Sequence, residues 1–124
     1  APFFIWSPRD FIDDTLLYAI GESTVNYPIN GFGFGTQLVT LNVIPSLTSY
    51  FPFWIIQLAV IIPLLVVLLR WQMRDNTIQR LLVAYAVWLF TFWIFSRFFH
   101  ANYLGYISEL LLLAWWWESV IYKP

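Results

Sequence analysis

Long apolar runs separated by short polar knots dominate the second half of this chain. From Phe51 to Leu69, nineteen successive residues carry no charge and a single amide, Gln57, before Arg70 ends the run. At about 1.5 Å of rise per residue, a helix of that length crosses the ~30 Å hydrocarbon core of a bilayer. Two later runs have the same character, from about Leu81 to Phe95 or Phe99 and from about Leu104 to Tyr122. The third holds Glu109 within it, Glu118 near its end and Lys123 just beyond. The pattern predicts an all-α integral membrane fold with spans at about 51–69, 81–99 and 104–122, and Pro63 is expected to kink the first.

The first fifty residues read differently. They carry Asp10, Asp13, Asp14 and Glu22 against a lone Arg9, together with most of the turn-forming residues. Ser7-Pro8-Arg9-Asp10 is a helix-start pattern, in which Ser7 can cap, Pro8 suits the first turn and Asp10 suits the dipole. Phe11, Ile12, Leu16, Ala19 and Ile20 then share one side at helical spacing, the aspartates lie off it, and Gly21 is placed to stop the run. Such an amphipathic helix lies on a membrane rather than through it. From Glu22 to Gly35, Pro28 and glycines at 31, 33 and 35 predict a loop. Thr36 to Ile44 is expected to form a short helix closed by Pro45. The chain therefore divides into an interfacial helix and loop region, 1–50, and a three-helix membrane region, 51–124.

Composition strengthens the membrane reading: 60% of residues are hydrophobic, 22% aromatic and only 10% charged, against about 25% charged in an ordinary soluble domain. With no cysteine, disulfide, thiolate-metal and thiol-nucleophile chemistry are excluded. The six basic residues make no nucleic-acid surface, and nucleophile-elbow, Walker and dinucleotide motifs are absent. The chain opens Ala-Pro-Phe and its one methionine is Met73. A cleaved signal peptide or an earlier part of a longer polytopic protein is thus expected upstream, the second being the preferred expectation.

Charge asymmetry orients the spans. Arg70, Arg74 and Arg80, opposed by Asp75, mark a cytoplasmic loop suited to anionic headgroups. The first fifty residues and the knot at Ser96 to Tyr103 then fall together on the extracytoplasmic face of a membrane, with a prokaryotic inner membrane as the expected setting. Four groups are candidates for chemistry. Arg97, His100, Asn102 and Tyr103 form either a lipid-phosphate or anion site, with the planar guanidinium fork as its centre, or a topological anchor. Asp10, Asp13 and Asp14 form either a carboxylate cluster for a cation or proton transfer, or the wet face of a helix, since adjacent helical residues point about 100° apart. Glu109 is an intramembrane acid that is paired with Arg97, exposed at shallow depth, or active in proton or substrate handling. His100, the sole histidine, is the only candidate ligand for a pigment or haem. No catalytic residue and no metal ligand set is assigned, and Trp115 to Trp117 read as an interfacial belt.

Trp6-Ser-Pro-Arg-Asp-Phe-Ile-Asp-Asp-Thr, Tyr27-Pro-Ile-Asn-Gly-Phe-Gly and Phe95-Ser-Arg-Phe-Phe-His-Ala-Asn-Tyr-Leu resemble the C-terminal region of bacterial polytopic proteins related to GT-C glycosyltransferases. The resemblance implies that extracytoplasmic loops handle a polyprenyl-phosphate-linked sugar and that Arg97, His100 and Tyr103 contact its phosphate. It also implies many more spans and a catalytic acid in a first outer loop, and no residue of this chain maps onto that acid. Three functions follow as expectations: an accessory or structural subunit of a larger membrane assembly, the membrane half of a GT-C-like transferase, and a pigment- or haem-associated helix set of a photosynthetic or respiratory complex. Membrane lipids and other transmembrane helices are the expected partners, with no nucleic acid.

Overall fold

A computed structural model describes residues 2–23 and 26–121, and the chain is mostly helical. It begins with an arm of short helical pieces: α1 (Pro2–Trp6), α2 (Pro8–Ile12), a π-helical turn (Asp13–Leu17) and α3 (Tyr18–Ile20). Pro8 sits in the first turn of α2 after Ser7, as its fixed φ favours. The Ser7 hydroxyl does not cap a backbone N–H. It donates instead to Asp10 Oδ2 at 2.6 Å. At the other end Gly21 adopts φ +90°, and the N–H groups of Gly21, Glu22 and Ser23 all donate to the Leu17 carbonyl. That left-handed stop is open to glycine at little cost, and it turns the chain back under the arm.

The loop beyond Gly21 is held by a pairing that has no period to announce it. β1 (Asn30–Gly31) lies parallel to β2 (Phe98–Phe99), and the Phe32 N–H extends the ladder to the Phe99 carbonyl at 2.8 Å. Gly31, at φ +94°, is close enough to its neighbour that a Cβ would lie 1.9 Å from the Phe99 carbonyl oxygen. The next helix, α4 (Phe34–Thr40), starts earlier and ends sooner than the expected 36–44. The chain reverses at Asn42 (φ 57°), which puts Ile44 beside Ile29 and Phe53 in a small buried core.

Three long helices follow: α5 (Phe53–Arg74), α6 (Ile78–Ile94) and α7 (Ala101–Ile121). The middle helix packs on both neighbours. Ala86 and Leu89 of α6 meet Ile107 and Leu110 of α7 in the second core, while Gln57 of α5 donates to the Phe92 carbonyl at 3.0 Å. Pro63 lies inside α5 without ending it. The α5/α6 turn is tight. Thr77 caps α6 by accepting from the Arg80 N–H, and the Arg80 side chain pairs with Asp75 at 3.3 Å.

Of the three expected spans, the described helices support one by length and composition. Among the described residues one helix, α5, is long and apolar enough to cross a membrane, with a mean hydropathy of 2.4 over its best window. α6 is a shorter apolar helix of 17 residues. It stops before Phe99 because Ser96 turns inward to donate to the Trp93 carbonyl at 2.7 Å, freeing Phe98 and Phe99 to pair with β1. α7 has the length, at 21 residues, but Asn102, Ser108 and Glu109 interrupt its apolar run. The side chain of Glu118 and all of Lys123 lie outside the described residues.

Candidate functional site

Arg97 organises the end of the molecule where the arm, the loop and the α6/α7 connection meet. The residue is buried, at 3% relative exposure. Nε donates to the Tyr27 carbonyl, Nη1 to the Ser49 carbonyl at 3.0 Å and Nη2 to the Leu47 carbonyl at 3.4 Å. Its own carbonyl accepts from the Asn30 N–H at 3.4 Å, and Leu47 accepts from Ile29 at 2.7 Å. The guanidinium stays charged at any physiological pH. Backbone dipoles supply the compensation: three carbonyls and the C-terminal end of α3, the negative pole of that helix, against which the guanidinium rests.

The fork read from sequence as an anion receptor is therefore engaged by main-chain oxygens. A cavity of about 190 Å³ opens beside it between α3, α5 and α6, with Gln57, Ser96 and Arg97 as its polar wall. The His100 and Tyr103 rings remain neighbours, with centroids 6.1 Å apart. His100 Nε2 comes within 3.5 Å of the Tyr27 hydroxyl, and the imidazole lies nearly parallel to Phe98 with its centroid 6.2 Å away. Tyr103 stacks on Trp93 at 4.6 Å and faces Phe99. Asn102 is exposed and lines, with Tyr85, Tyr103 and Tyr106, a cleft apart from the one beside Arg97.

The carboxylates do not converge. Asp10 accepts from Ser7, Asp13 accepts from the Ser23 hydroxyl at 2.9 Å, and Asp14 is exposed. Among the described residues no group of three His, Cys, Asp or Glu side chains is placed to hold a metal ion. The expected Arg97–Glu109 pair is not formed: the ion pair found among the described residues is Arg80–Asp75, and Glu109 projects from the exposed side of α7. Arg70 and Arg74 are exposed at the far end of α5. Arg80, expected beside them as a headgroup contact, is instead tied into the turn, donating to the Trp71 carbonyl at 3.2 Å with its guanidinium 5.3 Å from the Trp71 ring centroid.

Arg97, His100 and the aspartate arm do share one end of the molecule. Ser23 links Asp13 to the loop, Tyr18 meets Tyr27 edge to face at 5.7 Å, and Tyr27 reaches His100. The sequence reading gave no role at the site to Gln57 or Tyr27 and took Gly21 only as a helix stop, yet these residues pack around Arg97 and its cavity. Gln57 carried a signal, being the one amide in a nineteen-residue apolar run. No protein-family model, curated protein or solved structure matches the chain.

Proposed function

We propose that the chain is an integral membrane protein serving as a structural or accessory subunit of a larger membrane assembly, without catalysis of its own. The observation that carries this reading is the exposure of α5: its best apolar window is only 11% buried. A core helix of that composition in a water-soluble fold would be covered by its neighbours. Here Trp54, Ile55, Leu58, Ile62 and Val67 stand open, and lipid or another apolar helix is what such a surface demands. In this reading α6 and α7 accompany α5 across the bilayer, completing the three crossings near 51–69, 81–99 and 104–122. Arg70 and Arg74 contact cytoplasmic headgroups, and the first fifty residues lie outside a prokaryotic inner membrane. Solubilised from its native membrane in a mild maltoside, the protein should migrate in a stable complex with other membrane proteins. Recovery as a monodisperse chain on its own contradicts the reading.

A second reading, the membrane half of a GT-C-like transferase acting on a lipid-linked sugar, is favoured by one observation. The stretches around Tyr27 and Phe95 that carry the family likeness are adjacent, joined by the β1/β2 pairing and the Tyr27–His100 contact. It requires many more spans and an outer-loop acid in the same polypeptide. The intact mass of the native gene product separates the two: a mass near 14.7 kDa eliminates the transferase.

A further inference from the structure

The face of α7 turned away from α6 carries an acid that the fold does not use. Ile107, Leu110 and Ala114 are the buried positions of this helix. Ala101, Gly105, Ser108, Glu109 and Leu112 fall at i, i+4, i+7, i+8 and i+11 on the opposite face, and all five are exposed. Their polar groups are not equivalent. The Ser108 hydroxyl is satisfied within the helix, donating to the Leu104 carbonyl at 2.8 Å. Glu109 has no counter-ion among the described residues, whose ion pair joins Arg80 to Asp75. Gly105 points the same way. A Cβ there would meet nothing within 4 Å, so the packing of this chain does not ask for glycine, and glycine inside a helix weakens it. Small residues in an apolar helix are what a closely packed neighbouring helix uses.

With α7 across the bilayer, the reading on which this inference rests, Glu109 lies about 12 Å along the helix from Ala101 and about 18 Å from Ile121. Headgroup amines stay at the ends. A carboxylate at that depth needs a partner or a bundle interior, and its short stem does not reach the surface as a lysine or arginine stem can. This chain does not supply the cation, and neither does a second copy of it. Arg70, Arg74 and Arg80 stand near the α5/α6 turn, Arg97 is held by backbone carbonyls, and Arg9 and Lys123 precede and follow the three long helices in sequence. A hard metal ion needs several oxygen ligands, and one carboxylate without companion acids does not provide them. The remaining source is a basic side chain on another protein's helix.

We propose that this face of α7 seats a transmembrane helix of a neighbouring subunit, which carries a lysine or arginine level with Glu109 and packs closely at Gly105. The test places a photoreactive diazirine residue at Leu112, which is on the same face one turn from Glu109 and 61% exposed. Native membranes are irradiated before extraction in maltoside, and the cross-linked peptide is sequenced by mass spectrometry. A cross-link to an apolar segment of a different subunit is expected, with a lysine or arginine within about one turn of the attachment point. Its yield should fall about tenfold in Glu109→Gln and recover in Glu109→Asp. Gly105→Leu, which fills the gap, should lower it by a similar factor. Cross-links to lipid alone, to a second copy of this chain or to a segment without a basic residue overturn the proposal, as does an unchanged yield in Glu109→Gln. Glu109 and Gly105 are both exposed, so the variants keep the fold, which helical circular dichroism checks. Cross-links to lipid alone from a protein that still migrates in its complex remove this pairing and leave the subunit reading standing, whereas recovery as a lone chain removes both.

Discussion

The guanidinium of Arg97 lies directly on the backbone of Gly21. A Cβ at residue 21 would sit 2.3 Å from Nη1 and 2.7 Å from Cζ, at a backbone φ of +90°. Two constraints thus meet at one position: a helix stop that needs left-handed backbone, and a buried cation that needs the space a side chain would fill.

Gly21→Ala therefore carries both a conformational and a steric cost, together about 1–3 kcal/mol. Thermal unfolding followed by circular dichroism in detergent should show a clear loss of stability. Gly105→Ala is the matched control, since a Cβ there meets nothing within 4 Å and alanine is the better helix former. Equal behaviour of the two variants would show that Gly21 is not a keystone.

Arg97→Lys keeps the charge and removes the fork. Three carbonyls in two separate segments, at Tyr27, Leu47 and Ser49, are reached by three different nitrogens. One ammonium cannot replace that span, so lysine should destabilise by about 2–4 kcal/mol. Limited proteolysis should then cut first between Asn26 and Ser49. Were Arg97 chiefly an exposed anion receptor, lysine would leave stability and cleavage near wild type.

Thr77→Ala removes the cap of α6, where the hydroxyl accepts from the Arg80 N–H at 3.3 Å. A loss of about 1 kcal/mol is expected. Arg80→Ala should cost less, because its ion pair with Asp75 is partly solvated. A larger loss in Arg80→Ala would mean that its contacts with Trp71 dominate the turn.

The parts of this fold that sequence discloses are those written in local period or local stereochemistry. The uncharged run beginning at Phe51 announced α5, Pro8 marked the start of α2, and Gly21 marked the end of α3. Pairings between distant segments left no such trace. A two-residue parallel ladder between Asn30–Gly31 and Phe98–Phe99 is too short to show alternation. Arg97 was visible as the centre of a polar knot, but its partners are backbone carbonyls, and any residue carries one. The same pairing ends α6 before the expected span is complete. Tyr85 and Tyr106 come together only once α6 and α7 are packed in register, so that neighbourhood was not legible, whereas Glu109 was legible as an acid in an apolar run.

Membrane placement is the claim on which the functional reading depends, and the absence of cysteine makes it directly measurable. Single cysteines replacing Asp13, in the arm that meets the start of α5, and Arg74, at the end of α5, are exposed to a membrane-impermeant maleimide in sealed vesicles of known orientation. The account predicts protection of one and labelling of the other, reversed when the vesicles are inverted. Labelling of both from the same side, or of both in every orientation, would contradict it.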